Sequence, residues 1–212
     1  RSMYRNCCAL AATGVSAVSI YGDVDVGNSG AITANARDVY YNFFGETTAT
    51  GVYAVSIFGG AYASNADTGV ISADASTAYG SASATGISAL AYYGFYGDAI
   101  VDNAGSVSAS AITGDYTAYG SATATGVSAI SKYVGDAYVY NSGSITATAE
   151  TGYYAYFSSA VATGVAAESI VGNVYVENSG DITATAITGD YSFDNQADAY
   201  GIVAYNYDGS IG

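Results

Sequence analysis

The sequence has no histidine, no tryptophan and no proline, a single methionine, two cysteines, and only four basic residues among its 212. Each absence excludes a class of chemistry. Without histidine the commonest general base and metal ligand is missing, and with it the Ser-His-Asp and Cys-His arrangements of nucleophilic catalysis. The bases Arg1, Arg5, Arg37 and Lys132 face 18 acids, for a formal charge of −14. Phosphate binding needs clustered Lys and Arg, so nucleic acid is excluded as a partner, and an anionic membrane surface is disfavoured for the same reason. Such a charge keeps a protein soluble and attracts cations. No apolar run approaches the roughly 20 residues of a membrane helix, so no membrane span is expected. The opening Arg1-Ser2-Met3-Tyr4 lacks the apolar core of a signal peptide, which reads as a mature form or an excised segment. The two cysteines, Cys7 and Cys8, are adjacent. Neighbouring residues bridge each other only with strain, and no second pair completes a zinc site. They read either as two small strand residues or as partners in an intermolecular disulfide.

Half of the chain is apolar, with 27 glycines and 23 tyrosines. Disordered segments are poor in aromatic and β-branched residues; this chain is rich in both. Internal repeats explain the bias. The marker Thr-Gly-aliphatic recurs at Gly14, Gly51, Gly86, Gly126 and Gly164, and Tyr200-Gly201-Ile202 continues it, with steps of 37, 35, 40, 38 and 37 residues. A second marker, Asn-Ser-Gly or a close variant, ends at Gly30, Gly69, Gly105, Gly143 and Gly180, with steps of 39, 36, 38 and 37. Within each unit apolar residues alternate with period two, the mark of a strand. Val15, Val52, Ile87, Val127, Val165 and Ile202 form one column, and Ala17, Ala54, Ala89, Ala129, Ala167 and Ala204 a second. Ile32, Ile71, Val107, Ile145 and Ile182 form a third, with alanines at alternate positions after it. A further strand carries Val26, Val101, Val139 and Val176, and the second unit slips by one residue there.

Alanine favours helices, but period two and the recurrent Gly, Ser and Thr argue against them. A β-sandwich would need varied strands and hairpins. The expected fold is all-β: one parallel β-solenoid over 1–212, about five coils near 12–48, 49–83, 84–123, 124–161 and 162–198, then a partial sixth at 199–212. Three strands per coil are expected, with like strands paired at ~4.8 Å per coil. Asn28, Asn103, Asn141 and Asn178, with Asp67 in the second coil, are expected to stack as a structural ladder at one corner, satisfying turn backbone and tolerating left-handed φ.

Segments such as Ala-Thr-Gly-Val-Ser-Ala (124–129) and Tyr-Val-Tyr-Asn-Ser-Gly-Ser-Ile-Thr-Ala-Thr-Ala (138–149) resemble the passenger repeats of bacterial autotransporter and haemagglutinin-type adhesins. The resemblance covers nearly the whole chain. It implies a right-handed β-helix, an extracellular or cell-surface location, and adhesive or matrix roles.

No spacing proposes the paired carboxylates of glycoside hydrolysis, and no enzyme is expected. Asp23, Asp98 and Asp136 share a Gly-Asp turn, with Asn173 in the fifth coil. A stacked oxygen ladder there could hold Ca²⁺, but solvated turn acids are the simpler reading, and no cofactor is expected. Outward rows of Thr33 with Asn35, Ser72 with Asp74, Ser108 with Ser110, Thr146 with Thr148 and Thr183 with Thr185 resemble ice-binding surfaces. Threonine is also an ordinary exposed strand residue. Tyrosines crowd the segments between coils: Tyr116 and Tyr191 after Gly-Asp, Tyr79, Tyr119 and Tyr200 before the next strand, Tyr153 and Tyr154, and Tyr40, Tyr41, Phe43 and Phe44 in the first coil. Exposed tyrosine favours interfaces and sugar or surface contact.

A lone solenoid must cap its ends, and neither terminus reads as a cap. The last unit shortens to Asp208-Gly209-Ser210-Ile211. With Gly209 taken as the second marker, 17 residues separate it from Gly14 of a second copy, against 17 to 21 inside the chain. The tail of one copy and residues 1–11 of the next are therefore expected to complete a sixth coil. The candidate assembly residues are Tyr4, Cys7, Cys8, Tyr200, Ile202, Ala204, Tyr205, Tyr207 and Ile211. Head-to-tail contacts of this kind do not close, and they give a fibre. The expected function is a structural subunit of an extracellular filament or matrix that polymerises with itself. The alternatives are an adhesin passenger fragment that binds a surface or glycan, and an ice-binding solenoid.

Overall fold

The computed structural model describes residues 9–38, 45–93, 97–117, 119–191 and 194–212. The first coil holds β1 (Ala9–Ser19), β2 (Val24–Asn28) and β3 (Ala31–Asp38). The second holds β4 (Glu46–Ser56), β5 (Ala61–Asn65) and β6 (Val70–Thr77). The third holds β7 (Ser81–Ala91), β8 (Ala99–Asn103) and β9 (Ser106–Thr113). The fourth holds β10 (Tyr119–Val134), β11 (Ala137–Asn141) and β12 (Ser144–Glu150). The fifth holds β13 (Phe157–Val171), β14 (Val174–Asn178) and β15 (Asp181–Ile187), and β16 (Asp194–Asp208) opens a sixth. Each strand pairs in parallel with its counterpart one coil on, which builds one six-stranded sheet and two five-stranded sheets. The chain is the parallel β-solenoid that the repeat predicts.

The first-sheet strands are longer than the Thr-Gly-Val-Ser-Ala segment. They begin three to five residues ahead of the expected coil boundaries, so 12, 49, 84, 124, 162 and 199 fall inside strands. The marker glycine is where each long strand changes sides. In β4, Thr47 and Ala49 are buried before Gly51, whereas Val52, Ala54 and Ser56 are buried after it. The half before the glycine faces the third sheet across a core whose hydrophobic side chains are all alanine. The half after it packs with the second sheet around the Val/Ile columns.

The glycine is required for space. A Cβ on Gly51, Gly86, Gly126 or Gly164 would overlap a branch methyl of Ile71, Val107, Ile145 or Ile182 respectively, in its own coil. The same Cβ would lie 2.5–2.6 Å from the carbonyl oxygen of the marker glycine in the following coil. These columns carry the core: full burial of a Val or Ile contributes about 1.5–3 kcal/mol, and Val52, Ile71, Ile87, Val107, Val127, Ile145 and Val165 are all buried.

Two local expectations are corrected. The second unit does not slip in its strand, since Ala63 pairs in register with both Val26 and Val101. Its extra residues lie in the turn that runs from Asn65 to Gly69. Tyr119 and Tyr200 do not precede strands: they lie inside β10 and β16, paired with Phe157 and Thr163. Tyr40, Tyr41, Phe43 and Phe44 lie outside the described residues, as do Tyr4, Cys7 and Cys8.

Candidate functional site

The asparagine ladder is continuous, and its second rung is Asn65 rather than Asp67. Alternation from Val24 and Val26 turns Asn28 and its counterparts inward, at the end of each second-sheet strand. Each amide nitrogen donates to the next rung: Asn28 to Asn65 at 2.9 Å, Asn65 to Asn103 at 2.9 Å, Asn103 to Asn141 at 2.7 Å, and Asn141 to Asn178 at 2.6 Å. The same nitrogens also donate to the carbonyl of the corner glycine, at 2.9–3.3 Å. The ladder thus satisfies turn backbone as expected, but without left-handed φ: no described residue other than glycine has positive φ. It has a direction. At its ends, Asn178 Nδ2 donates to Gly180 O at 3.0 Å, and Asn28 Oδ1 accepts from Gly30 N at 3.1 Å.

A second ladder follows the first corner, where Gly22, Gly135 and Gly172 take positive φ. Asp23 Oδ1 accepts from Gly60 N at 2.7 Å, Asp98 Oδ1 from Asp136 N at 2.8 Å, and Asp136 Oδ1 from Asn173 N at 2.6 Å. Asn173 Oδ1 in turn accepts from Ser210 N at 3.2 Å. These carboxylates bind the backbone of the following coil, and Gly60 interrupts the column between Asp23 and Asp98. Among the described residues, no group of three or more His, Cys, Asp or Glu could hold a metal ion. Tyr138 Oη donates to Asp136 Oδ2 at 2.6 Å. Burial alone raises the Asp136 pKa, but the hydrogen bonds from Tyr138 and Asn173 outweigh it and hold the carboxyl below its usual range. The same bond to Asp136, with burial, pushes the Tyr138 hydroxyl up to about 12.

The outward rows on the third sheet are in register: Thr33, Ser72, Ser108, Thr146 and Thr183 beside Asn35, Asp74, Ser110, Thr148 and Thr185. A more regular row lies on the first sheet. Thr13, Thr50, Thr85, Thr125 and Thr163 run coil after coil, ending on Tyr200. Its signal was the threonine of the marker itself. Where the strands bend at glycine, Thr50, Tyr53, Thr85, Ser88, Thr125, Ser128 and Ala166 line a shallow open groove.

The tyrosines form axial columns. Tyr21, Phe58, Tyr93 and Tyr133 follow one another at 5.4, 5.9 and 5.0 Å between ring centroids. Each stands seven residues after its marker glycine, a spacing available in the sequence. Tyr116, Tyr154 and Tyr191 stack in the turns ahead of β10, β13 and β16, and Tyr119 stacks on Phe157.

Among the described residues, β1 and β16 are the edge strands of the first sheet. Ile202 on β16 is 47% exposed, whereas Val165, its partner one coil earlier, is 0% exposed. Ile211 is 56% exposed against 0% for Val174, the residue it bridges. Ala204 is half-buried beside buried Ala167, and Tyr200, Tyr205 and Tyr207 are exposed. On the opposite face Val15, Ala17 and Ile32 are only partly buried. The expected alignment of Gly209 is corrected. It sits against Gly172 O, and Gly172 N donates to Asp208 O at 3.4 Å, so Gly209 belongs to the first corner. From that corner to the next marker the chain uses 27 to 29 residues, against 17 from Gly209 across to Gly14 of a second copy.

Among the described residues no helix is long and apolar enough to cross a membrane. No protein-family model, curated protein or solved structure matches the chain. The fold and its ladders define the class, a parallel β-solenoid.

Proposed function

We propose that the chain is a structural subunit of an extracellular filament or matrix, which assembles by head-to-tail stacking of solenoid ends. One observation carries the reading: columns buried in every inner coil are only partly buried at Val15 and Ala17 on β1, and Ile202 on β16 is exposed. An unpaired parallel edge with an apolar inward row is a template for another strand. The partner we favour is a second copy. Ala199, Ile202 and Ala204 repeat the inward pattern of Ala12, Val15 and Ala17, so β16 against β1 reproduces the junction used five times inside the chain. Such stacking is heterologous and does not close.

The test is a concentration series by light scattering with negative-stain micrographs. Growing mass and unbranched filaments with a ~4.8 Å axial repeat are expected. A protein that remains monomeric at every concentration would contradict the reading. The exposed aromatic columns favour a second reading, adhesion to a surface or glycan, which predicts binding by the isolated monomer. The unbroken threonine row favours an ice-facing surface, for which thermal hysteresis by the monomer is the check.

A further inference from the structure

In the column that precedes the first sheet, Tyr116 stacks on Tyr154 with centroids 5.3 Å apart and planes 14° from parallel. Tyr154 stacks on Tyr191 at 5.4 Å and 25°. Tyr153 stands edge-on to Tyr154 and Tyr191, at 4.8 and 5.0 Å. The turns that bear these rings are tied rung to rung. Tyr154 N donates to Asp115 O at 2.8 Å, and Tyr191 N to Tyr153 O at 3.1 Å. All four rings are exposed to solvent. The chain gives an oxidant little else to attack, with 23 tyrosines against no tryptophan, no histidine, one methionine and two cysteines.

We propose that this column is a site of oxidative cross-linking, where hydrogen peroxide and a haem peroxidase couple Tyr154 to Tyr116 or Tyr191 as dityrosine. Each of two phenols loses one electron and one proton, leaving two tyrosyl radicals. The radicals join through the ring carbons ortho to the hydroxyls, forming one C–C bond. The hydrogen on each joined carbon then moves to the phenol oxygen and restores aromaticity. The two electrons and two protons released reduce one peroxide to two waters. Backbone bonds hold neighbouring turns together while exposed rings can rotate edge to edge, so coupling needs no unfolding. The product would fasten one coil to the next covalently.

The experiment treats the dilute 212-residue chain with horseradish peroxidase and peroxide, then digests it with an acid-specific protease for mass spectrometry. Dityrosine fluorescence is expected, together with a cross-linked pair of peptides carrying Tyr154 and Tyr116 or Tyr191, two hydrogens lighter than their sum. Tyr154→Phe should lose that pair, and Tyr53→Phe, on another face, should keep it. Circular dichroism confirms that each variant is folded. Absence of the cross-link in the wild type, or its survival in Tyr154→Phe, would overturn the proposal. Because the link forms within one chain at dilution, its failure is separate from any failure of filament assembly.

Discussion

Gly201→Ala separates the stability of the coil from its assembly. At the five internal junctions, a Cβ on the marker glycine would lie 2.5–2.7 Å from the carbonyl oxygen of the glycine one coil on. A Cβ on Gly201 meets nothing within 4 Å. Its φ is not in the left-handed region, so alanine fits the isolated chain and stabilises it slightly, by about 0.4–1 kcal/mol through the unfolded state. In a stack the next copy brings the Gly14 carbonyl to the same place as at the internal junctions. Backbone oxygen in a paired strand cannot turn aside, and overpacking of this kind costs about 1–3 kcal/mol. At 1.4 kcal/mol per tenfold, each junction weakens by about 5- to 150-fold. Sedimentation velocity across a concentration series reads the association, and thermal melting of the dilute protein reads the fold. The expected result is an unchanged or slightly higher Tm with assembly displaced to higher concentration. A variant that assembles like the wild type would refute the idea that the next coil lies where internal coils lie. Gly126→Ala is the internal control and should lower the Tm outright, because its Cβ overlaps Ile145 and lies 2.6 Å from Gly164 O.

Asn103→Ala removes hydrogen bonds of 2.9, 2.7 and 3.3 Å from a fully buried rung. At about 1 kcal/mol each, with neighbours left unpaired, the loss should be about 3–5 kcal/mol by urea denaturation; the exposed terminal rung, Asn178→Ala, should lose about 1. Equal losses at both positions would argue against a continuous ladder. Each copy carries a charge of −14, so raising salt from 0.01 to 0.15 M, which cuts the screening length from about 30 to about 8 Å, should promote assembly in light scattering. Inhibition by salt would contradict stacking of like-charged copies. Tyr138 ionises in the folded protein only near 12, so its contribution holds below about 10 and fades as pH rises toward 12; Tyr138→Phe should abolish that alkaline slope. Asp136, held low, stabilises above the ordinary carboxylate range and loses this as pH falls, so the Tyr138→Phe penalty should shrink in acid.

The Thr-Gly marker, the Val/Ile columns and four of the five asparagine rungs were legible because period two and the coil repeat both act on single residues. Other features needed three dimensions. Nothing local states that inward parity flips at Gly51, since alternation on either side of a glycine reads the same whether or not the strand bends. Asn65 was hidden by a turn that lengthens just after it, which made Asp67 look like the rung. Asp208-Gly209-Ser210 imitates the second marker in sequence, and only the contact of Gly209 with Gly172 O fixes its corner. The tyrosine columns were visible as abundance, but their stacking depends on turns being superposed, and that follows from the register of the whole coil.

The most direct test of head-to-tail stacking is a register-specific disulfide. Val203 pairs with Ala166 as Tyr53 pairs with Ser16, so the stack sets Val203 of one copy beside Ser16 of the next. Adjacent strands lie ~4.8 Å apart, within disulfide reach, while five coils put the two positions about 24 Å apart in one copy. Ser16→Cys with Val203→Cys, in a Cys7→Ser, Cys8→Ser background, is predicted to give a ladder of linked multimers on oxidation. The offset pair Val18→Cys with Val203→Cys should give far fewer. Monomers alone, or equal ladders from both pairs, would contradict the stack.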